Sequence, residues 1–469
     1  MQERGALRRV PSAAMSPATG LTTPRTQEFH TTVAYPAADV WDWHTRPGAV
    51  VRLTPGAAHM QVTGEADNLR DGTTTFRLPG GLHWTARHDP AGFRAGHRFT
   101  DVCVNPPANL TGWRHEHLID PAPADREVDG TATTTVTDRI TARVPAALLR
   151  RIIGYRGRQL TADLTHLADL RHLDTPARTI AVTGPTGLVG TRLVALLRTA
   201  GHTVIPLSRH EVPGGRRWNP AAPAPDLLTG VDTVIHLAGA PIFGRFTDTH
   251  RAAVRDSRVG PTRRLAELAA TSGVTTFVSA SAVGFYGARR PEPVGEDAPR
   301  GDGFLADVVR DWEADCDPAR RAGLRVVNIR TGLVLAGGSP LLTLLAASSR
   351  AGGGRLGAGT QHFPWIGIDD LTDIYHRAAV DPTLSGPVNA VAPEDITEAE
   401  FAATLADLQR VRVPLRIPVP AAGPRILLGA LGADELALAD QHTRPDVLER
   451  AGQPFRTATV RDLLRHELG

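Results

Sequence analysis

Lysine is missing from this chain of 469 residues, so all 52 of its Lys and Arg residues are arginines. A lysine Schiff base, a phosphate-binding loop with a lysine and the Tyr-x-x-x-Lys proton relay are therefore excluded. Cysteine occurs only at Cys103 and Cys316, which excludes a disulfide framework and a cysteine-rich metal site. Because so few cysteines favour a reducing compartment, we expect a cytoplasmic protein.

Strong charge and long apolar runs are also missing. The formal net charge is +3 and no dense stripe of arginine and aromatic residues occurs, so no nucleic-acid partner is expected. No apolar run approaches the roughly 18 residues of a membrane span, so none is expected. With 41% hydrophobic residues, the chain is long enough for two or three domains with their own cores. Residues 1–26, rich in Ala, Ser, Thr, Pro and Arg, are predicted to be a disordered tail.

The most informative segment of the chain begins with a β-branched run at Thr179–Thr183 and continues into a helical apolar pattern. Three glycines stand between and within them, with the spacing G-x-x-G-x-x-G. Gly184 permits a tight turn, Gly187 lets backbone N–H groups approach a pyrophosphate, and Gly190 lets the helix pack on the sheet. The predicted cofactor-binding residues of this loop are Gly184, Thr186, Gly187, Leu188, Val189 and Gly190.

Ser208 and Arg209 follow the second predicted strand, at the position where NAD-specific proteins carry Asp or Glu. A hydroxyl and a guanidinium suit a 2′-phosphate, so the sequence predicts NADP (NADPH) as cofactor. The alternative for Arg209 is a solvated arginine after a strand. His236, at the end of the third strand, is expected to be a packed residue. The residues after it are expected to pass close to the cofactor: Leu237, Ala238 and Gly239.

In residues 27–173, a helix predicted from Ala37 to about Val51 is followed by several short runs that alternate between apolar and polar side chains, and then by a long amphipathic helix. This order of elements resembles the α+β helix-grip fold of the START/polyketide-cyclase (SRPBCC) superfamily. The resemblance implies an apolar ligand held between a curved sheet and the long helix. The alternative is that four tryptophans of this segment are simply core residues: Trp41, Trp43, Trp84 and Trp113.

Residues 178–395 alternate strands with helices, which predicts an α/β Rossmann-type doubly wound parallel sheet. Residues 396–469 are predicted to be a mostly helical C-terminal module that completes the substrate side, with a break at Val413–Pro420. The strands of the parallel sheet are predicted at Thr179–Thr183, Thr203–Leu207, Thr233–Leu237, Thr276–Ser279 and Arg325–Ile329.

Several motifs resemble the extended, epimerase-like branch of the short-chain dehydrogenase/reductase superfamily. They are T-G-P-T-G-L-V-G at 183–190, H-L-A-G-A at 236–240 and V-S-A-S-A-V-G-F-Y-G at 278–287. N-I-R-T-G-L-V-L at 328–335 and F-P-W-I-G-I-D-D-L at 363–371 resemble an atypical "epimerase family" subgroup of uncertain substrate, as does the C-terminal module.

The resemblance implies roles for three further residues. Ser281 would hydrogen-bond the reacting oxygen, Tyr286 could donate a proton, and Arg258 would reach the phosphates of the cofactor. For Tyr286 the alternative is a structural role at a strand-to-loop corner, and for Arg258 an exposed helix arginine. The tyrosine and lysine of the superfamily are replaced by Phe304 or Leu305 and by Val308 or Val309.

The leading functional hypothesis is an NADP-binding oxidoreductase or epimerase that acts on a small carbonyl, hydroxyl or sugar-like substrate. One alternative is a catalytically silent NADPH-binding regulator or scaffold, and another is a carrier of an apolar ligand through the N-terminal domain. No metal site is expected. Glu313 is considered as a carboxylate of the cleft, whereas Asp369 and Asp370 are expected to order the start of a helix.

Overall fold

In the computed structural model, which describes residues 23–122, 132–410 and 417–468, the first unit is antiparallel. Its elements are β1 (Arg25–Val33), α1 (Ala37–Thr45), α2 (Ala49–Leu53), β2 (Gln61–Gly64), β3 (Thr73–Arg77), β4 (His83–His88), β5 (Arg98–Cys103), β6 (Arg114–Pro121), β7 (Thr134–Ala142) and α3 (Ala146–Asp169). The strand order is β1-β7-β6-β5-β4-β3-β2. Every second residue of β7 is buried, as its alternating sequence predicts.

The core of this unit lies between the sheet and α3, whose Leu149, Ile153 and Leu160 are buried. Trp43 belongs to this core, since only 1% of it is exposed. The other three tryptophans are half-buried, and the ring of Trp84 meets that of Trp113 edge-on at 5.2 Å.

Two boundaries in this unit differ from the sequence-based expectation. The single helix expected after residue 37 is divided into α1 and α2, because Pro47 and Gly48 interrupt it and Gly48 takes φ +96°. The sheet begins at Arg25, so the predicted tail cannot extend to residue 26; residues 1–22 of that tail lie outside the described residues.

The described residues from Thr179 onward form the parallel-sheet unit. Its elements are β8 (Thr179–Thr183), α4 (Leu188–Thr199), β9 (Thr203–Ser208), β10 (Arg216–Arg217), β11 (Thr233–His236), α5 (Asp248–Asp256), α6 (Pro261–Ala269), β12 (Thr276–Ala282), β13 (Arg289–Val294), α7 (Phe304–Ala314), α8 (Asp317–Arg321), β14 (Arg325–Thr331), β15 (Leu333–Leu335), α9 (Pro340–Arg350), β16 (Gly353–Leu356), β17 (Trp365–Gly367), α10 (Ile368–Val380), β18 (Gly386–Ala390), α11 (Glu398–Leu408), β19 (Ile417–Val419), α12 (Ala422–Gly432), β20 (Asp440–Thr443), α13 (Asp446–Arg450) and α14 (Val460–Leu468).

The main sheet of this unit has the order β10-β9-β8-β11-β12-β14-β18, and every neighbouring pair is parallel. One core joins α4 and α10 to the sheet, and a second joins α6 and α8 to it, so helices cover both faces. The Rossmann-type doubly wound sheet is therefore confirmed. The strand order reverses between β8 and β11, which is where such sheets bind ligands.

Three further strand pairs are parallel. Two of them attach the C-terminal segment, residues 396–469, to the rest of the unit: β13 with β20 and β16 with β19. The third, β15 with β17, lies at the rim of the main sheet. The expected break at Val413–Pro420 falls partly on residues 411–416, which lie outside the described residues. Within the described ranges, no helix is both long enough and apolar enough to span a bilayer.

Buried ion pairs join the two units and the C-terminal segment. Arg52 of α2 donates two hydrogen bonds to Asp163 of α3, at 2.8 and 2.6 Å, and lies 2.7 Å from Asp369 of α10. Arg456 reaches Asp163 at 2.6 Å and Asp373 at 2.5 Å. Asp369 thus stands in the first turn of a helix, as expected, but its carboxylate binds an arginine of the other unit.

Candidate functional site

The glycine loop lies at the end of β8 and opens into α4. Gly184 has φ +66°, and a Cβ atom there would lie 3.2 Å from the backbone nitrogen of Ala238. A Cβ atom at Gly190 would overlap the carbonyl oxygen of Gly184, so both positions require glycine. At Gly187 the nearest atom would be 3.4 Å away, which is ordinary contact. The loop is therefore tight at Gly184 and Gly190, whereas the backbone at Gly187 leaves room for a side chain.

The N-terminus of α4 faces solvent beside this loop. Thr186, Gly187 and Leu188 are exposed, and Gly187 caps the helix without a side-chain hydrogen bond. The first N–H groups of a helix have no partner inside it, and the helix dipole favours negative charge there. The N–H groups of Val189 and Gly190 belong to this first turn, so the geometry suits an anion such as a pyrophosphate.

The neighbouring strand end is held by the hydroxyl of Thr183. This oxygen accepts hydrogen bonds from the N–H groups of Leu237 and Ala238, at 3.0 and 3.1 Å, and lies 2.8 Å from Nδ1 of His236. His236 is fully buried, and burial, with Arg258 nearby, lowers its pKa to about 3. His236 is therefore a neutral packing residue that fixes the course of the chain past the glycine loop.

Arg258 lies in the turn between α5 and α6 and packs against Gly239. A Cβ atom at Gly239 would lie 2.9 Å from the guanidinium carbon, and only 7% of Arg258 is exposed. One of its terminal nitrogens donates to the carbonyl of Val254 at 3.1 Å, and the guanidinium lies 5.0 Å from the ring centre of Trp312. Arg258 is therefore not the exposed helix arginine that was the alternative.

The charge of this guanidinium is not compensated. In the part of the chain that the structure describes, no carboxylate forms an ion pair with Arg258, and its Nε has no hydrogen-bond partner. Burial lowers the pKa of Arg258 to about 10. A buried cation without an anion is costly, and an anion bound beside Gly239 would remove that cost.

Ser208 and Arg209 stand at the same rim, because β9 is the parallel neighbour of β8. Arg209 is exposed, and the hydroxyl of Ser208 accepts a hydrogen bond from the N–H of His210 at 3.3 Å. Both side chains are thus placed where a 2′-phosphate could be reached, and their role in cofactor choice stays a prediction.

Ser281 belongs to a buried polar network at the end of β12. Its hydroxyl donates a hydrogen bond to Glu313 of α7 at 2.6 Å. Arg330, its register partner on β14, holds both oxygens of Glu313 at 2.8 Å. The structure therefore brings together Ser281 and Glu313, which the sequence offered as separate candidates.

Tyr286 lies behind this network and is 1% exposed. Its hydroxyl donates to Oδ1 of Asn389 at 2.8 Å and accepts from Arg330 at 3.0 Å. Burial raises the pKa of Tyr286, and the charge of Arg330 opposes that rise. These contacts favour the structural alternative for Tyr286, whose catalytic role stays an untested prediction.

Sequence reasoning missed Arg330 and Asn389 as members of this network. A signal was available for Arg330, because it directly follows the V-V-N-I run of β14, and charged residues are rarely buried unless they are paired. Asn389 gave no comparable signal, since its partner Tyr286 lies about a hundred residues earlier.

The first two turns of α7 occupy the positions expected for the tyrosine and lysine of the superfamily. Leu305, Val308 and Val309 are buried there. The carboxylate of Glu435 accepts hydrogen bonds from the N–H groups of Phe304 and Leu305, at 2.8 and 2.7 Å. The C-terminal segment therefore caps this helix, a contact that the sequence did not reveal.

Known protein families match both the parallel-sheet unit and the C-terminal segment. Residues 180–390 match the NAD dependent epimerase/dehydratase family, and residues 419–467 match a domain of unknown function, DUF1731. Over 291 residues the chain is 38% identical to the epimerase family protein Mb2239 of Mycobacterium bovis, a match that covers 61% of this chain and 96% of that protein. The chain belongs to the epimerase family. Human SDR39U1, another epimerase family protein, is 35% identical over 259 residues, or 53% of this chain and 86% of its own.

This epimerase-family chain is also similar to solved structures. A nucleoside-diphosphate sugar epimerase from Corynebacterium glutamicum is 45% identical, with a TM-score of 0.82, and the match covers 94% of this chain and 90% of that one. Human SDR39U1 with NADPH is 30% identical, with a TM-score of 0.56, over 62% of this chain and 99% of that one. The predicted resemblance to the epimerase family is thus confirmed for the parallel-sheet unit and its C-terminal segment.

Proposed function

We propose that this chain is an NADPH-binding oxidoreductase or epimerase whose substrate is a nucleotide-linked sugar. The observation that carries the proposal is the uncompensated guanidinium of Arg258 beside Gly239 and the glycine loop. A phosphate group supplies the anion that this buried cation lacks. The substrate class is taken from the similarity to the sugar epimerase of Corynebacterium glutamicum.

The residues present fit the cofactor. Gly184 and Gly190 leave no room for side chains, so the loop is shaped for a ligand that approaches the backbone. The loop and the N-terminus of α4 would hold the pyrophosphate together with Arg258. Ser208 and Arg209 would hold a 2′-phosphate, in keeping with the NADPH in the structure of human SDR39U1. When bound, the nicotinamide supplies a hydride donor or acceptor.

The chain itself must handle the proton, since the tyrosine and lysine of the superfamily are replaced. The hydroxyl of Ser281 already donates to Glu313, so its oxygen lone pairs are free to accept a hydrogen bond. In the direction of oxidation, the substrate hydroxyl passes its proton to Oγ of Ser281, which passes its own proton to Glu313. Arg330 orients this carboxylate and keeps it from moving away.

The function is tested with nucleoside-diphosphate sugars and their keto derivatives. Net oxidation or reduction is followed by nicotinamide absorbance, and epimerisation by the proton spectrum of the sugar, because it consumes no cofactor. We expect turnover of at least one substrate of this class. Replacing Ser281→Ala removes the proton acceptor and should lower kcat by about 100-fold.

The matched control is Ser279→Ala, two residues earlier on the same face of β12. The hydroxyl of Ser279 donates to a backbone carbonyl, so this variant should keep its kcat. Equal turnover by both variants would remove Ser281 from the mechanism. NADPH binding without turnover of any sugar nucleotide or keto derivative would contradict the enzymatic proposal.

The N-terminal half of α7 favours a second candidate, a catalytically silent NADPH-binding regulator. Buried valines stand where the lysine is expected, and Glu435 covers the N-terminus of the helix. On this hypothesis NADPH stays chemically intact while it changes the affinity for a partner. The Ser281→Ala variant then binds NADPH and the partner as the parent does.

We also propose that the N-terminal unit, residues 27–173, is a START/polyketide-cyclase-like helix-grip domain. Its element order and its long helix α3 support this assignment. Its interior is polar where Asp138 contacts His115 at 2.8 Å, His117 at 3.1 Å and Arg156 of α3 at 3.2 Å. A ligand at this place would need polar groups, which speaks against the apolar-ligand carrier that the resemblance implied.

A further inference from the structure

Three distant segments bring two histidines and an aspartate together on the C-terminal side of the molecule. His362 precedes β17, Asp395 follows β18, and His442 lies on β20. One ligand atom from each of the three lies within 4.8 Å of the others. The sequence predicted no metal site, because no short spacing joins these residues.

Each histidine is oriented by a second partner at its Nδ1. Nδ1 of His362 lies 2.7 Å from the carboxylate of Asp440, which also accepts from the backbone N–H of His362 at 2.9 Å. Nδ1 of His442 lies 3.2 Å from the carbonyl oxygen of Pro291. Such partners favour Nε2 as the ligand atom of each ring, as in protein metal sites, and a bound cation would replace the proton that Nε2 of His442 shares with Asp395.

Nε2 of His442 lies 2.9 Å from the carboxylate of Asp395, and the two imidazole rings are parallel with centres 4.1 Å apart. Both histidines and Asp395 line a cleft of about 310 Å³. Arg444, a cation that lines the same cleft, pairs instead with Asp446 at 3.2 Å. The site thus offers two imidazoles and two nearby carboxylates in a space open to solvent.

We propose that His362, His442 and Asp395 bind a divalent first-row cation, with Zn²⁺ as the preferred ion. Two imidazoles and a carboxylate are ligands that suit zinc, and three protein ligands leave a coordination position for water or a substrate oxygen. Asp440 is the positioning residue of the site. Asn389 connects this metal site with the buried polar network of Ser281 and Tyr286. Its side-chain nitrogen donates to the carbonyl of Arg444 at 2.9 Å, while its Oδ1 accepts from Tyr286.

The test measures zinc bound to the full chain after removal of metals with a chelator. We expect one zinc ion per chain after dialysis against Zn²⁺, and none at this site in His442→Ala or His362→Ala. Replacing zinc by Co²⁺ gives a second measurement. Four-coordinate Co²⁺ has a strong visible absorbance band, and we expect the two histidine variants to lose this band. Asp440→Asn keeps all three ligands and should weaken zinc binding about 10- to 100-fold.

The matched control is His97→Ala. His97 pairs with Asp120 at 2.5 Å and is similarly accessible, but the structure groups no third ligand with this pair among the residues it describes. This variant should bind zinc as the parent does. Circular dichroism of each variant shows whether it is folded.

A second triad offers the competing explanation. Asp101, His115 and His117 also come together, inside the N-terminal unit. If zinc is lost in a folded His115→Ala variant and retained in His442→Ala, the proposal is overturned. It is equally overturned if the parent chain binds no zinc, or if Asp440→Asn binds zinc as tightly as the parent.

Discussion

Two buried arginines of the parallel-sheet unit differ in what they face. Arg330 is 4% exposed and holds both oxygens of Glu313, and its pKa is raised, with the pairing to Glu313 overcoming burial. Arg258 is 7% exposed, meets no carboxylate among the described residues, and its pKa is lowered to about 10 by burial. The guanidinium of Arg330 is thus used within the fold to neutralise Glu313, whereas the guanidinium of Arg258 is available to a ligand.

The two arginines also differ in what they contribute to the stability of the free protein. Arg330 connects Ser281, Glu313 and Tyr286, so it stabilises the strand ends on which the chemistry would occur. Arg258 adds no such connection and raises the energy of the free protein. Binding sites keep groups of the second kind, because their cost is recovered only when the ligand arrives.

The largest effect on the free energy of unfolding is expected from replacing Arg330, the arginine that is paired. Arg330→Met leaves the carboxylate of Glu313 buried and without its cation, and should lower the free energy of unfolding by about 3–5 kcal/mol. Urea unfolding followed by circular dichroism measures this loss. Arg310→Met, which removes an exposed arginine of α7, is the control and should unfold close to the parent. A stable Arg330→Met variant would show that the network does not hold the fold.

Two carboxylates differ in the same way, because Glu313 is paired with Arg330 whereas Asp370 lies near the negative charge of Asp373. Burial and then the charge of Asp373 raise the pKa of Asp370 to about 7. The fold thus favours protonated Asp370, and this contribution to stability is complete below about pH 4 and is lost as the pH rises through 7.

Asp370→Asn mimics the protonated form at every pH. The stability of this variant relative to the parent should therefore rise by about 2 kcal/mol between pH 5 and pH 8. Urea unfolding of both proteins at the two pH values measures the difference. A difference that does not change with pH would show that Asp370 ionises normally in the folded protein.

A smaller effect is expected at the exposed end of the cofactor site. Arg209→Ala should reduce the preference for NADPH over NADH by about tenfold, since a charged hydrogen bond to the 2′-phosphate is lost. Fluorescence titrations with the two nucleotides give the ratio of Kd values. Arg263→Ala is the control, because Arg263 pairs with Glu267 on the surface of α6. An unchanged ratio in Arg209→Ala would leave Arg209 as a solvated arginine.

The smallest effect concerns the stability of the free protein. Because burial disfavours the charge of Arg258, Arg258→Met should leave the fold intact and raise the free energy of unfolding by about 1 kcal/mol. The same urea experiment measures it. A loss of stability comparable to that of Arg330→Met would mean that the two arginines do not differ in kind.

The sequence predicts the elements that depend on local pattern. The strand Thr179–Thr183 is found with the predicted ends, and the helix after the glycines begins at Leu188. The last strand of the sheet, Gly386–Ala390, was missed because its proline and asparagine interrupt the apolar run by which buried strands are found. The local sequence pattern was therefore sufficient to predict the glycine loop, but not to predict the strand at the edge of the sheet.

The residues of the candidate site were likewise predictable only where a local motif identifies them. The glycines could be chosen from spacing alone, and Ser281 from its motif. The pairing of Glu313 with Arg330 could not, because it depends on which strands and helices become neighbours. That Arg258 has no anionic partner was also hidden, since the absence of a partner is a property of the whole neighbourhood and not of a motif.

The NADPH affinity of Arg258→Met tests most directly whether this arginine is available to a ligand. The control is Arg255→Met, which removes an exposed arginine of α5 that pairs with Asp311 at 2.6 Å. Nicotinamide fluorescence should give a Kd roughly 30- to 100-fold higher for Arg258→Met, as expected for the loss of a charged hydrogen bond to phosphate, and an unchanged Kd for the control. A folded Arg258→Met variant that binds NADPH as tightly as the parent would contradict the claim that this arginine is available to a ligand.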